Sequence, residues 1–168
     1  MATVTVYNKK LFLQIDPCSR VLRDENFLET MNEEKRNRLS PEEINLKFQN
    51  HPILRKYGSP KIYKIEEIDY KLSPKDTFYD SKQGKDVSYI EYFKERYGAK
   101  IKVEGQPLIK VLADRRFNKS KNPQDKQYIY LVPEMVCLTG LTDEQSKNFR
   151  IMKSLGEFTK LSAQNRMK

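Results

Sequence analysis

The sequence has few of the residues on which enzymes most often depend. Among its 168 residues there is one histidine (His51), two cysteines (Cys18 and Cys137) and six unclustered glycines. A single histidine makes a histidine-based zinc site or a Ser-His-Asp triad hard to build. Scattered glycines exclude a glycine-rich phosphate loop. We therefore expect a non-catalytic chain that holds neither a metal ion nor a cofactor and takes no small-molecule substrate.

Long apolar stretches are also missing. No run approaches the roughly 18 apolar residues of a membrane span, and the opening residues MATV lack the basic and apolar regions of a signal peptide. The two cysteines have no metal-ligand spacing and lie in apolar surroundings, which favours buried thiols, with a disulfide as the less favoured alternative. We expect an intracellular chain, cytoplasmic, nuclear or both, without a membrane partner.

Positive charge is abundant by contrast. There are 32 basic and 23 acidic residues, which gives a net charge of +9. Such an excess favours a polyanion as partner, because phosphates attract Lys and Arg at moderate salt. A lysine-rich solvated surface is the competing explanation. The basic stretch 114–126 is typical of a solvated loop and adds no specificity.

The pattern of apolar residues predicts short strands with helices inserted between them. Apolar alternation and runs bounded by turn residues predict strands, which we place within 3–15, 53–54, 62–68, 107–113 and 128–132. Capping residues and apolar spacing predict helices, which we place near 24–33, 41–49, 88–97 and 142–155. The segment 73–87 is predicted to be loop. The fold class is therefore mainly β with α insertions, a small barrel of the OB type with flanking helices.

One predicted helix, over residues 88–97, concentrates aromatic side chains. Tyr89, Phe93 and Tyr97 follow an i, i+4, i+8 spacing, and Tyr92 pairs with Arg96 in an adjacent row. Core packing explains Phe93 and Tyr89. The polar ends of Tyr92, Arg96 and Tyr97 need partners if they are buried. Hydroxyl and guanidinium donors can bind a terminal phosphate, and a ring can stack on a base.

A second cluster interleaves basic and aromatic residues. It contains Lys56, Tyr57, Lys61, Tyr63 and Lys64. Strand alternation places Lys61 and Tyr63 on one face and Lys64 on the other. This composition is typical of a groove for single-stranded nucleic acid, although a solvated sheet face has the same pattern.

Four motifs in order resemble the PAZ domain of Argonaute proteins. They are IYKIEEIDY (62–70), SPKDTF (73–78), SYIEYFKERY (88–97) and YLVPEMVCLTGLTD (130–143). The segments LTGLTD (138–143) and VLRDE (21–25) are most similar to the PIWI clade of that family. The resemblance runs from about residue 11 to residue 160, nearly the whole chain.

The resemblance implies an OB-like barrel that faces a β-hairpin and helix appendage, with the 3′ end of a guide RNA between them. The residues that it implies for the pocket of the terminal nucleotide are Phe78, Tyr92, Tyr97 and Tyr130. Leu131, Val132 and Met135 lie near enough in the sequence to form an apolar wall for the 2′-O-methyl group that guides of the PIWI clade carry. The residues that the resemblance implies for the last phosphates are Lys61, Tyr63, Lys64 and Arg96. Where other Argonautes have a phosphate-binding histidine, this sequence reads Arg55-Lys56-Tyr57-Gly58, so that Lys56 or Tyr57 replaces it.

By this resemblance the chain is the PAZ module of a PIWI protein in RNA silencing. We expect it to bind a piRNA-like, 2′-O-methylated guide, to be monomeric, and to be accompanied by the other domains of a parent Argonaute. The expected division is a lead-in strand over 1–13, the PAZ domain over 14–138, and a linker helix and tail over 139–168. Two alternatives stay open, a general single-strand-binding OB domain and a peptide-binding interaction module.

Overall fold

The computed structural model describes residues 2–7, 10–15, 19–80, 83–113 and 127–159. The chain divides into two compact units. The larger unit is Leu22–Thr139, and the smaller combines the chain up to Val21 with the chain from Gly140. The domain boundaries expected from the sequence stay a prediction. Cys18 and the basic stretch 114–126 lie outside the described residues.

The described residues form strands and helices in alternation. In chain order the strands are β1 (Ala2–Tyr7), β2 (Lys10–Ile15), β3 (Pro52–Arg55), β4 (Lys61–Asp69), β5 (Thr77–Asp80), β6 (Lys85–Ser88), β7 (Leu108–Leu112), β8 (Tyr128–Leu131) and β9 (Val136–Leu138). The helices are α1 (Phe27–Arg36), α2 (Pro41–Phe48), α3 (Tyr89–Tyr97), α4 (Asp143–Lys147) and α5 (Phe149–Thr159). The predicted class, mainly β with inserted helices, is confirmed.

A five-stranded antiparallel sheet, in the order β8-β7-β4-β3-β9, is the centre of the larger unit. Strand β4 is the longest and has two partners: its first half pairs with β3 and its second half with β7. The register shifts between Ile65 and Glu67, and such a bulge bends a strand and lets it turn a corner. Among the described strands, β8 and β9 do not pair, so the barrel-like sheet stays open.

Two helices cover one side of the sheet and fill its core. Phe27 of α1 and Phe48 of α2 meet edge to face, with ring centroids 5.1 Å apart. They join Ile53, Ile65 and Ile109 of the sheet in one buried cluster. A buried branched side chain of this size contributes about 1.5–3 kcal/mol. The alternation of β4 thus places Tyr63 and Ile65 in the core, and Ile68 joins them after the bulge, whereas Ile62 on the other face is exposed.

An appendage of hairpin and helix completes the larger unit. Strands β5 and β6 pair in register from Thr77↔Ser88 to Asp80↔Lys85, and α3 follows at once. The prediction of loop over 73–87 is therefore wrong for the two strands, although a turn does precede them, where the Asp76 N–H donates a 3.0 Å hydrogen bond to the Ser73 carbonyl. Each strand has four residues, too few to show a clear alternation of apolar side chains. The hairpin and helix expected from the family resemblance are present.

The smaller unit contains the hairpin of β1 and β2 and the helices α4 and α5. The predicted single helix over 142–155 is in fact two. Asn148 has an extended backbone (φ −82°, ψ 107°), which ends α4. Its Oδ1 accepts a hydrogen bond of 3.0 Å from the backbone N–H of Arg150 and so caps the start of α5. The apolar periodicity that predicted one helix continues across Asn148, but the backbone and side chain of this residue end one helix and begin the next.

Two expectations about the chain can be compared with these elements. None of the helices in the described ranges combines the length and the apolar character needed to cross a membrane. Cys137 lies in β9 and is buried, as expected of a structural thiol. Burial also raises the pKa of the Cys137 thiol, which keeps it protonated at neutral pH.

Candidate nucleic-acid interface

The larger unit contains a cavity of about 530 Å³ that aromatic side chains dominate. Its walls come from the end of β3 and the turn after it, from β5, from α3 and from β8. The lining residues are Arg55, Tyr57, Phe78, Tyr79, Asp80, Tyr89, Tyr92, Phe93, Tyr97, Tyr128, Ile129, Tyr130 and Leu131. A cavity of this volume is large enough for a small organic group such as one nucleotide.

Helix α3 supplies one wall, and its ends are set by local sequence. Ser88 and Glu91 form a capping box, and Gly98 ends the helix with a left-handed backbone (φ 61°). The Tyr92 ring meets Phe78 edge to face with centroids 5.2 Å apart. It also meets Tyr97 at 5.8 Å. The helix therefore presents Tyr92 and Tyr97 beside the hairpin residue Phe78.

The turn between β3 and β4 supplies the opposite wall through Tyr57. Its ring packs edge to face on Phe93 at 4.6 Å and on Tyr97 at 4.9 Å. The next residue, Gly58, has φ +60°. A Cβ atom there would lie 3.1 Å from Cε1 of Tyr97. A glycine thus provides both the backbone angle and the space that this approach requires.

Arg55 lies beside Tyr57 and is a cavity residue that the sequence did not single out. Its guanidinium carbon is 4.9 Å from the Tyr57 ring centroid, and its Nη2 donates a 2.8 Å hydrogen bond to the Ser59 carbonyl. Its Nε is buried and has no hydrogen-bond partner within the described part of the chain. The signal available in the sequence was its spacing of two from Tyr57, which places both on one side of an extended segment.

Lys56 points away from this cavity. Its Nζ donates a 2.8 Å hydrogen bond to the Asp24 carbonyl. Of the two residues that the sequence offered in place of the family histidine, the structure brings Tyr57 to the cavity together with Arg55. Lys56 is exposed and does not line it.

Burial raises the pKa of three tyrosine hydroxyls at the cavity. It raises the pKa of Tyr92 to about 12, with a hydrogen bond to Tyr97 as a further cause. It also raises the pKa of Tyr89 to about 12. The pKa of Tyr57 is raised well above its ordinary value by burial, although the Arg55 charge opposes that shift. At neutral pH these hydroxyls are therefore neutral hydrogen-bond donors.

The other residues predicted for phosphates do not line the cavity. Tyr63 is buried in the core of the sheet, and the Lys61 Nζ lies 5.2 Å from its ring centroid. Lys64 is exposed on the other face of β4, as the alternation predicted. Arg96 is exposed on α3, with its guanidinium carbon 5.5 Å from the Tyr92 ring centroid. Arg96 is thus the one of these that adjoins a cavity residue through its side chain.

Five of the seven residues predicted for the pocket and its apolar wall line the cavity. Phe78, Tyr92, Tyr97, Tyr130 and Leu131 line it. Met135 does not: it is half-buried and packs behind the cavity wall, against the cluster that also contains Val132. Of the predicted apolar wall, only Leu131 reaches the cavity.

Two aromatic residues at the rim were not predicted. Tyr79 is 66% exposed and Tyr128 39% exposed, yet both line the cavity. The Lys110 Nζ lies 4.7 Å from the Tyr128 ring centroid, and its second contact is the Glu67 carboxylate at 3.3 Å. The rim thus combines exposed rings with a cation. In the described residues no His, Cys, Asp and Glu side chains group as they would to hold a metal ion.

Comparison with known proteins decides the family. The model of the PAZ domain matches residues 25–162. The chain belongs to the PAZ domain family. The PAZ resemblance and the PAZ fold predicted from the sequence are therefore confirmed, and the barrel-like sheet with its hairpin and helix is the observed form of that fold.

The relatives of this PAZ domain are Piwi-like proteins. It is 34% identical over 173 residues to the Piwi-like protein Ago3 of Bombyx mori, covering 99% of this chain and 18% of the relative. It is 30% identical over 169 residues to human Piwi-like protein 3, covering 99% and 19%. The crystal structure of Drosophila Piwi has the same fold, with a TM-score of 0.53 and 20% identity over 99% of this chain and 18% of that one. The chain spans about a fifth of the length of these relatives.

Proposed function

We propose that this PAZ domain binds the 3′ end of a single-stranded small guide RNA in its aromatic cavity. The observation that carries the proposal is the concentration of rings and protonated tyrosine hydroxyls around one cavity, with Arg55 at its wall. Rings stack on bases without regard to sequence, and neutral hydroxyls and a guanidinium donate to phosphate oxygens. The net charge of +9 favours the same class of partner.

The wall residues have separate roles in this proposal. The rings of Phe78 and Tyr92 stack on the terminal base, and Tyr130 and Leu131 border its sugar. The hydroxyls of Tyr57 and Tyr97 donate to the last phosphate. A single stacked base contributes about 1–3 kcal/mol to binding.

Residues outside the cavity contact the preceding phosphates. Arg96 lies closest, through its position over the Tyr92 ring. Lys61, Lys64 and Lys56 contribute positive charge without lining the cavity, and Tyr63 supports Lys61 from the sheet core. Met135 acts indirectly by packing behind the cavity wall. Since these contacts are to phosphate, sugar and ring faces, binding depends little on base sequence and weakens with salt.

The guide that we propose is of the piRNA type with a 2′-O-methyl group, held as part of a longer PIWI protein whose other domains carry any catalysis. Leu131 at the cavity gives a methyl group an apolar contact. One buried methyl group contributes about 0.8 kcal/mol, so a methylated end should bind a few times more tightly than an unmodified one. Equal affinities for the two ends would remove this part of the proposal.

The experiment that tests the function compares a linear RNA with a circular RNA of the same sequence. Both contain the same phosphates and bases, but only the linear form has an end. We expect fluorescence anisotropy at one fixed salt concentration to give a dissociation constant in the roughly micromolar range for the linear RNA. We expect much weaker binding for the circle.

Equal binding of the two RNAs would contradict the proposal and indicate a general single-strand-binding domain. Unrelated polyanions such as heparin, added as competitors, test the remaining alternative. If the linear RNA is displaced no better by other single-stranded RNA than by heparin, the contact is charge alone, and a peptide-binding role for the aromatic cavity becomes the better explanation.

A further inference from the structure

One acidic residue lines a cavity whose other lining residues, among those described, are aromatic, aliphatic or basic. Asp80 is the last residue of β5, lines the cavity and is 7% exposed. Its backbone carbonyl accepts hydrogen bonds of 3.1 Å from the Gln83 N–H and 2.8 Å from the Gly84 N–H. The turn of the hairpin therefore holds Asp80 in place.

A negative charge here is unexpected for a site that takes a polyanion. Like charges that are brought together repel, and they do so more strongly in a partly dehydrated cavity than in water. A carboxylate is, on the other hand, a strong acceptor for a hydroxyl group. Asp80 is therefore suited to face the one part of an RNA end that has hydroxyls and no charge.

Arg55 and Asp80 lie at the two ends of a series of contacts across the cavity. Arg55 stacks on Tyr57, whose ring packs on Tyr97, whose ring in turn packs on Tyr92. Asp80 is close enough to Tyr92 for its charge to act on that hydroxyl. The buried Nε of Arg55 supplies an N–H donor that has no partner in the described residues. One end of the series thus favours an anion and the other disfavours it.

We propose that Asp80 makes the cavity select an RNA end with a free 3′-hydroxyl over an end with a 3′-phosphate, while Arg55 holds the last bridging phosphate. This inference rests on the proposed function and adds a specificity-determining residue to it. The terminal hydroxyl donates to the Asp80 carboxylate. A terminal phosphate, with a charge of about −2 near neutral pH, would face that carboxylate and be repelled.

The test uses three RNAs of one sequence that differ at the 3′ end: a free hydroxyl, a phosphate, and an uncharged O-propyl group that resembles the phosphate in size. Binding of each is measured by anisotropy with the whole chain. With the wild-type chain we expect the affinity for the phosphate end to be lower than that for the propyl end by about tenfold or more. Both groups have a steric cost, but only the phosphate is also repelled by the Asp80 charge. Equal binding of the phosphate and propyl ends would show a purely steric limit and overturn the proposal.

The variant Asp80→Asn assigns the effect to one carboxylate. We expect it to restore binding of the phosphate end by about tenfold, and to leave the hydroxyl end within about threefold. Asp86→Asn is the matched control, since Asp86 is exposed in the paired strand β6 and does not line the cavity. It makes the same change of charge in the same hairpin and should leave the phosphate penalty unchanged.

Folding of each variant is checked by circular dichroism, and Asp80→Ser replaces Asp80→Asn if the latter does not fold. A folded variant that keeps the full penalty against the phosphate end, or an equal gain from Asp86→Asn, would overturn the role of Asp80. Failure of the proposed function would give a different result. The wild-type chain would then bind linear and circular RNA alike, whichever group the 3′ end carries.

Discussion

Tyr57 and Tyr97 pack edge to face, with ring centroids 4.9 Å apart and an angle of 61° between their planes. Tyr57 belongs to the turn between two strands of the sheet, and Tyr97 is the last residue of helix α3. This pair therefore joins the barrel-like sheet to the appendage at the cavity. Substitutions that disturb the pair should change both the stability of the larger unit and its affinity for RNA.

Gly58→Ala should disturb this pair from the backbone. An alanine at φ +60° is strained by about 1–2 kcal/mol, and its Cβ would press on the Tyr97 ring at 3.1 Å. We expect a loss of about 1–2 kcal/mol in the free energy of unfolding, measured by urea titration, together with weaker RNA binding. Gly105→Ala is the control, because a Cβ there meets nothing within 4 Å. An effect of the same size at Gly105 would contradict this explanation.

Truncation of the stacking rings should weaken binding without unfolding the chain. We expect Tyr92→Ala to cost about 1–3 kcal/mol of RNA binding free energy, and Phe78→Ala a similar amount. Tyr92→Phe keeps the ring and should cost less, since only the hydroxyl is lost. Tyr70→Ala serves as a control because Tyr70 is partly exposed and does not line the cavity. If Tyr92→Ala and Tyr70→Ala bind alike, base stacking at Tyr92 is not used.

The two adjacent cations should differ in their effect on the salt dependence of binding. Arg55→Met removes a guanidinium at the cavity, so the slope of log affinity against log salt should fall by about one, as for one lost phosphate contact. Lys56→Met removes the same charge one residue away, from a side chain that donates to Asp24 instead. We expect it to leave the slope nearly unchanged. The reverse order would assign the phosphate contact to Lys56.

The buried tyrosines should make the fold sensitive to alkali. The pKa of Tyr92 and that of Tyr89 are each raised to about 12 in the folded chain, mainly by burial, against about 10 in an unfolded one. The folded state then binds more protons than the unfolded state between these values, so stability falls as pH rises. We expect the melting temperature to be level up to about pH 9 and to fall between about pH 10 and 12.

The double variant Tyr89→Phe, Tyr92→Phe checks the cause of that fall. Phenylalanine does not ionise, so the melting temperature of the variant should fall less over the same range of pH. An equal fall in the variant and the wild-type chain would show that other groups, such as the lysines, cause the loss of stability.

Local signals determined much of the secondary structure. Helices α2 and α3 begin where Ser40 and Ser88 form capping boxes with a glutamate three residues on, and α3 ends at Gly98. Every partner in these signals lies within a few residues, which is why the sequence alone predicts them. The same reasoning failed for the β5–β6 hairpin, whose strands are too short for a pattern, and at Asn148, where a side-chain cap divides one expected helix into two.

The residue types of the cavity could also be predicted, but not their final arrangement. The helical spacing places Phe93 and Tyr97 in one row of α3 and Tyr92 in the adjacent row, and the motifs identify the family. Which neighbour in the turn after β3 reaches the cavity depends on which side of that turn faces α3, about forty residues along the chain. Only the tertiary structure shows that Tyr57 and Arg55, and not Lys56, line the cavity. It also shows that Asp80 is part of the wall and that Met135 packs behind it. Periodicity and capping act between near neighbours, whereas the identity of a cavity wall depends on contacts between distant segments.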